Sequence, residues 1–229
     1  MKDIFEKINI THIKVFLAGI LVALVASIVL LSLVPPVSKD ALVHHLAVPK
    51  LYLRHGGIHE IPSIIFSYFP MNLDLLYMIS LYFGNDILPK LIHFGFALLT
   101  GWLIFGYLKR RLTTAYALLG LIFFLSIPVI VKLSITVYVD LGVIFFSTLS
   151  LFLLFRWIES RFRLRWLIFS AVSCGLAMGT KYNALITFFL LTLFVPYIYS
   201  RYSQGKKSGF LKPVGYRVVF PAIVPYHPG

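Results

Sequence analysis

ITVYVDLGVIFFSTLSLFLLF, residues 135–155, decides the class of this protein, because as a helix it is long enough to cross a bilayer core of about 30 Å and it carries one charge. That charge is Asp140, about five residues inside the run. A carboxylate held at such a depth costs about 2.5–3.5 kcal/mol on insertion scales. It is either a helix-end acid that reaches the headgroups or caps a neighbour, or part of a site.

Similar runs recur on both sides of it. With 59% apolar and 16% aromatic residues and a mean hydropathy of +0.91, the chain reads as an all-α polytopic membrane protein. Six spans are expected, at 13–34, 88–108, 114–131, 135–155, 166–179 and 184–199. The last two are short and flank Gly179-Thr180-Lys181-Tyr182, which reads as a tight turn or as an interruption of one long apolar stretch. The first is too long for a signal-peptide core and no small-residue cleavage pattern follows it, so it is retained as a helix.

The net charge of +13 does not point to nucleic acid, because the basic residues recur between apolar spans instead of gathering on one soluble face. With a cytoplasmic N-terminus, fifteen of the twenty-one Lys and Arg fall inside, at 1–14, 109–111, 156–165 and 201–217. Lys39, Lys50, Arg54, Lys90, Lys132 and Lys181 fall outside, together with Asp40 and Asp140. The single cysteine, Cys174, excludes an internal disulfide or thiolate metal site and reads as a packing residue.

The outer loop 35–89 reads as a roof of juxtamembrane surface helices. One is expected at 39–53, with Ser38 as N-cap and Gly56-Gly57 as its stop; another at 72–83, capped by Asn72, complemented by a structural Asp74 and ended by Gly84. In the first, Asp40 and His44 share a face by their spacing of four, and Lys50 and Arg54 repeat that spacing. His44, His45, His55 and His59 cluster within sixteen residues, which is either a divalent-metal site for zinc or manganese or a solvated polar face. Lys181 either snorkels to the interface or holds a phosphate there.

Four segments, KDALVHHLAVPKLYL (39–53), YFPMNL (68–73), VYVD (137–140) and GLAMGTKY (175–182), together resemble the GT-C glycosyltransferases, in their family-39-like, aminoarabinose-transferase-like branch. The resemblance covers the first span to about Tyr199. It implies a multi-pass transferase of the plasma membrane and cell envelope that takes a sugar from a polyprenyl-phosphate donor to a lipid, glycan or protein acceptor at the extracytoplasmic face. It implies a catalytic base at Asp40, a second catalytic acid at Asp140 that orients residues, holds a divalent ion or touches the acceptor, and substrate contacts from His44, Lys50, Arg54, Tyr138 and Lys181. No other cofactor is implied. The chain departs from the branch at Ala41, where a second acid often follows, in lacking a nearby Arg, and at Phe69, where a Lys can precede the proline.

On this division, 1–199 is a GT-C-like transmembrane domain and 200–229 a basic cytoplasmic tail, read as a truncated continuation whose apolar run 218–224 is too short to span. The alternatives are a non-catalytic remnant or subunit of such an enzyme, and a transporter or channel component.

Overall fold

The computed structural model describes residues 2–204, and side chains within 11–202. The tail expected from residue 200, with its run 218–224, lies outside the described residues from 205 onward.

Helix α1 (Lys2–Ser32) carries the first span, apolar over Thr11–Ser32. The loop then folds as expected into short helices, α2 (Ala47–His55) and α3 (Asn72–Tyr82), before the second span, α4 (Leu88–Lys109). Helices α5 (Thr114–Ser126) and α6 (Pro128–Ser134) follow, then α7 (Asp140–Glu159), α8 (Leu164–Met178) and α9 (Leu185–Gln204). Four described helices are long and apolar enough to cross a membrane by length and composition, and the bent pair α5–α6 makes up to five.

Two expected spans therefore differ from expectation. The third is broken at Pro128 and bends by 67°. Proline pushes the residue before it out of the helical region, and Ile127 sits at ψ 125°, so α5 stops at Ser126 and Pro128 begins a new helix. The fifth, α8, has 15 residues, about 22 Å of helix, and falls short of a full crossing by itself. It nevertheless runs antiparallel along α7. Ser150 and Ser170 exchange hydroxyl-to-carbonyl hydrogen bonds of 2.7 Å each, Ser173 donates to the Phe146 carbonyl at 2.8 Å, and Lys181 reaches Asp140 at 2.7 Å. Gly179-Thr180-Lys181-Tyr182 is a turn: Ile198 of α9 returns to pack on Leu154 and Trp157 at the far end of α7.

The loop is welded to the bundle by an apolar cluster of Ala41, Leu46, Leu73, Tyr77, Leu81, Val137 and Val139. Two glycines let α3 approach. A Cβ on Gly142 would stand 2.6 Å from Leu73 Cδ2, and one on Gly179 would stand 2.3 Å from Asn72 Nδ2. Asn72 does not cap α3 with its side chain; its backbone N–H donates to the Gly179 carbonyl at 3.0 Å and its amide to that of Leu176 at 3.4 Å. Gly179 thus lets α3 come close to the end of α8.

The first loop helix is not continuous. Ala41–His45 form a π-turn, and α2 starts afresh at Ala47. Pro49 has no N–H to give to the His45 carbonyl and its ring would clash there, so the widened turn absorbs the conflict. One extra residue rotates everything after it by about 100°. Gly56 closes α2 at φ 75°, as its sequence position predicts.

Candidate active site

The π-turn and the residue before it present Asp40, His44 and His45 together, while Lys50 and Arg54, further along α2, lie outside that group. The presented face opens on a cavity of about 260 Å³, whose lining includes Asp40, His44, Asp74, Tyr138 and Lys181. The segment between α6 and α7 supplies Tyr138, the turn between α8 and α9 supplies Lys181, and α3 closes the floor with Asp74.

Tyr138 joins the loop to the bundle: its hydroxyl donates to Asp40 Oδ2 at 3.1 Å and lies 3.1 Å from Ser38 Oγ. Ser38 therefore does not cap with its side chain, though its carbonyl accepts the Leu42 N–H at 3.1 Å. Asp140 is the first residue of α7, where an anion is favoured by the helix N-terminus, and Lys181 donates to its Oδ1 at 2.7 Å. Lys181 thus has an acid partner that its local sequence does not supply. It bridges the second acid to the cavity wall and has further N–H donors.

Behind the mouth lies a buried pair, His45 Nδ1 and Asp74 Oδ1, 2.7 Å apart. Burial pushes the Asp74 carboxyl above its ordinary range, and the hydrogen bond with His45 pulls the other way. Burial, with His45 beside it, holds His44 down to about 4; Asp40 opposes this and Lys181 adds to it. His44 is neutral at pH 7 as a result. Its ring stacks on Phe66 with centroids 4.5 Å apart, and its Nδ1 is buried without a hydrogen-bond partner. Phe66, Phe69 and Tyr182 form an aromatic rim, with centroids 5.5 and 5.6 Å apart in successive pairs and each ring more than a third exposed.

The structure brings Asp40, His44, Tyr138 and Lys181 to one space, with Asp140 bound behind Lys181. It does not bring Lys50 or Arg54 there: Lys50 pairs with Asp86 at 2.8 Å and Arg54 is exposed outside the lining. The four clustered histidines divide into two ring pairs, His44–His45 at 3.8 Å and His55–His59 at 4.3 Å, each tilted by 43°. Among the described residues no group of three or more His, Cys, Asp or Glu could hold a metal ion. The sequence names His45 in its histidine cluster and Asp74 as structural, but their partnership across 29 residues has no local signal.

Residues 75–226 match the family described as dolichyl-phosphate-mannose-protein mannosyltransferase. The chain belongs to this family. It is a membrane glycosyltransferase of the GT-C type, with Tyr138, Asp140 and Lys181 inside the matched stretch and Asp40 and His44 preceding it. Neither a curated relative nor a solved structure matches the chain.

Proposed function

We propose that this GT-C protein transfers a sugar from a polyprenyl-phosphate donor, of the kind named by its family's dolichyl-phosphate mannose, to a hydroxyl of a lipid, glycan or protein acceptor. The reaction takes place in the cavity beneath the loop, at the extracytoplasmic face of the plasma membrane, with the N-terminus cytoplasmic. Asp40 accepts the proton of the attacking hydroxyl as its oxygen bonds to the anomeric carbon. The bond from that carbon to the phosphate oxygen breaks, and the lipid phosphate leaves on the opposite face of the sugar. One displacement inverts the anomeric configuration.

The observation that carries this reading is the grouping around one space of Asp40, held by Tyr138, and Lys181, itself held by Asp140. Lys181 is the cation available to the departing phosphate, where scarce water strengthens its effect. The neutral His44, with an unpartnered Nδ1, suits a sugar hydroxyl. The aromatic rim suits the apolar carrier chain or a sugar face. No step is assigned to a divalent metal.

The test is to supply membranes containing the chain with a polyprenyl-phosphate sugar and candidate hydroxyl acceptors, and to determine the product's anomeric configuration. Inverted product is expected. Retained configuration contradicts the mechanism; no product marks the chain as a non-catalytic remnant or subunit, and solute flux in liposomes without transfer marks it as a transporter.

A further inference from the structure

We propose that His93 is a positioning residue for this transfer, splicing α6 to α7 across the break between them and thereby setting Tyr138 in the cavity wall and Asp140 behind Lys181. The inference rests on the proposed function for its kinetic consequence, and on geometry alone for the splice. His93 lies near the start of α4 and is fully buried. Its Nδ1 stands 3.0 Å from the Leu133 carbonyl oxygen and 3.1 Å from that of Thr136, and its Nε2 accepts the backbone N–H of Leu141 at 2.9 Å.

Carbonyl oxygens only accept and an amide N–H only donates. One neutral tautomer therefore satisfies all three contacts: Nδ1 carries the proton and Nε2 is bare. Leu141 is the second residue of α7, so its N–H has no partner within the helix, and His93 supplies from a different helix the acceptor that a local cap would otherwise provide. No side chain of the sequence just before α7 caps it. The nine residues from Leu133 to Leu141 that His93 ties down contain both Tyr138 and Asp140.

A second hold comes from α3, where the Tyr77 hydroxyl donates to the Tyr138 carbonyl at 2.5 Å. Between Tyr77 on α3 and His93 on α4, the bend has little freedom to move. A displacement of about 1 Å of groups around a reacting centre costs on the order of 100-fold in rate.

The experiment uses the full chain in lipid, comparing His93→Phe, His93→Gln and His93→Asn. His93→Phe keeps the ring and removes every polar contact; His93→Gln keeps an acceptor near the Nε2 position; His93→Asn keeps a donor near the Nδ1 position. With His93→Phe, kcat is expected to fall about 100-fold while KM for the donor is unchanged, and His93→Gln should recover part of that loss. Combined with Tyr138→Phe, the loss should be less than the product of the two single effects, because part of the His93 effect acts through the Tyr138 hydroxyl.

Hydrogen exchange at the Leu141 amide, measured without substrate, should accelerate in His93→Phe and less so in His93→Gln, with α8 protection unchanged. Multiplicative losses, a change in KM alone, or unaltered exchange at Leu141 overturns the proposal. Should the wild type transfer nothing, the exchange result alone decides whether His93 holds the segment, and it is the proposed function that has failed. If His93→Phe does not fold, His93→Gln and His93→Asn carry the same comparison.

Discussion

Helix α7 begins at Asp140, bound to Lys181 of the α8–α9 turn, and finishes at Glu159, bound to Arg111 from the α4–α5 turn at 2.9 Å. Both are acid–cation pairs that bridge helices, yet their surroundings differ. The Arg111 guanidinium lies 3.8 Å from the Tyr107 ring centroid, its Nε is buried without a hydrogen-bond partner, and Glu159 also takes Arg156 at 3.4 Å. Around Asp140 the partner Lys181 instead faces a space shared with Asp40, His44 and Tyr138. An ion pair in a membrane bundle becomes chemically useful when its remaining donors meet a cavity; elsewhere it stitches loops together.

Breaking the loop-end pair should therefore cost activity, and breaking the opposite pair should not. Asp140→Asn or Lys181→Met is expected to lower kcat by about 100–1,000-fold, the scale of losing a stabiliser of developing charge. Glu159→Gln should transfer sugar at the wild-type rate in the same assay. Equal losses at the two ends would erase the contrast.

Next in size are the glycines that seat α3 beneath the cavity. Gly142→Ala should lower stability by about 1–3 kcal/mol, since its methyl group meets Leu73 in a packed core, and a shift in the denaturation midpoint in lipid measures it. Gly106→Ala, where nothing lies within 4 Å of the added carbon, serves as the comparison and should be tolerated.

Protonation of His44 gives a smaller, pH-dependent effect. Its folded value of about 4 lies below the ordinary imidazole value of 6.5, so between these limits the unfolded chain binds the proton more readily. His44 then contributes a loss of stability as pH falls from 6.5 toward 4. His44→Gln should show a shallower decline than wild type across that window in thermal unfolding, and parallel curves would contradict the neutral assignment. Smallest is Arg111→Ala at the opposite end, expected to cost about 1 kcal/mol through its ring contact and ion pair.

Much of this architecture is legible in the chain before folding. Apolar runs locate the long helices, Gly56 and Gly84 mark turns where φ is positive, and an acid inside the apolar run 135–155 flags the site. The departures have local chemical causes as well: Pro128 breaks the third span, and Pro49 accompanies the π-turn that separates Asp40 and His44 from Lys50 and Arg54. The spacing reading paired Asp40 with His44 and Lys50 with Arg54 on one unbroken helix, and only the first of these pairs lines the cavity. Partnerships across the fold are another matter. Nothing near His93 announces Leu133, Thr136 and Leu141 as its partners, nor does His45 announce Asp74, because such pairings exist only once separate helices have packed.

The most direct measurement is the location of donor binding. A photoreactive polyprenyl phosphate added to membranes containing the protein should label Phe66–Pro70 and Tyr182 at the loop end, with labelling reduced by Lys181→Met. Labelling concentrated around Arg111 and Glu159 instead, or unchanged when Lys181 is replaced, would contradict the assignment of the loop-end cavity as the place where donor and acceptor meet.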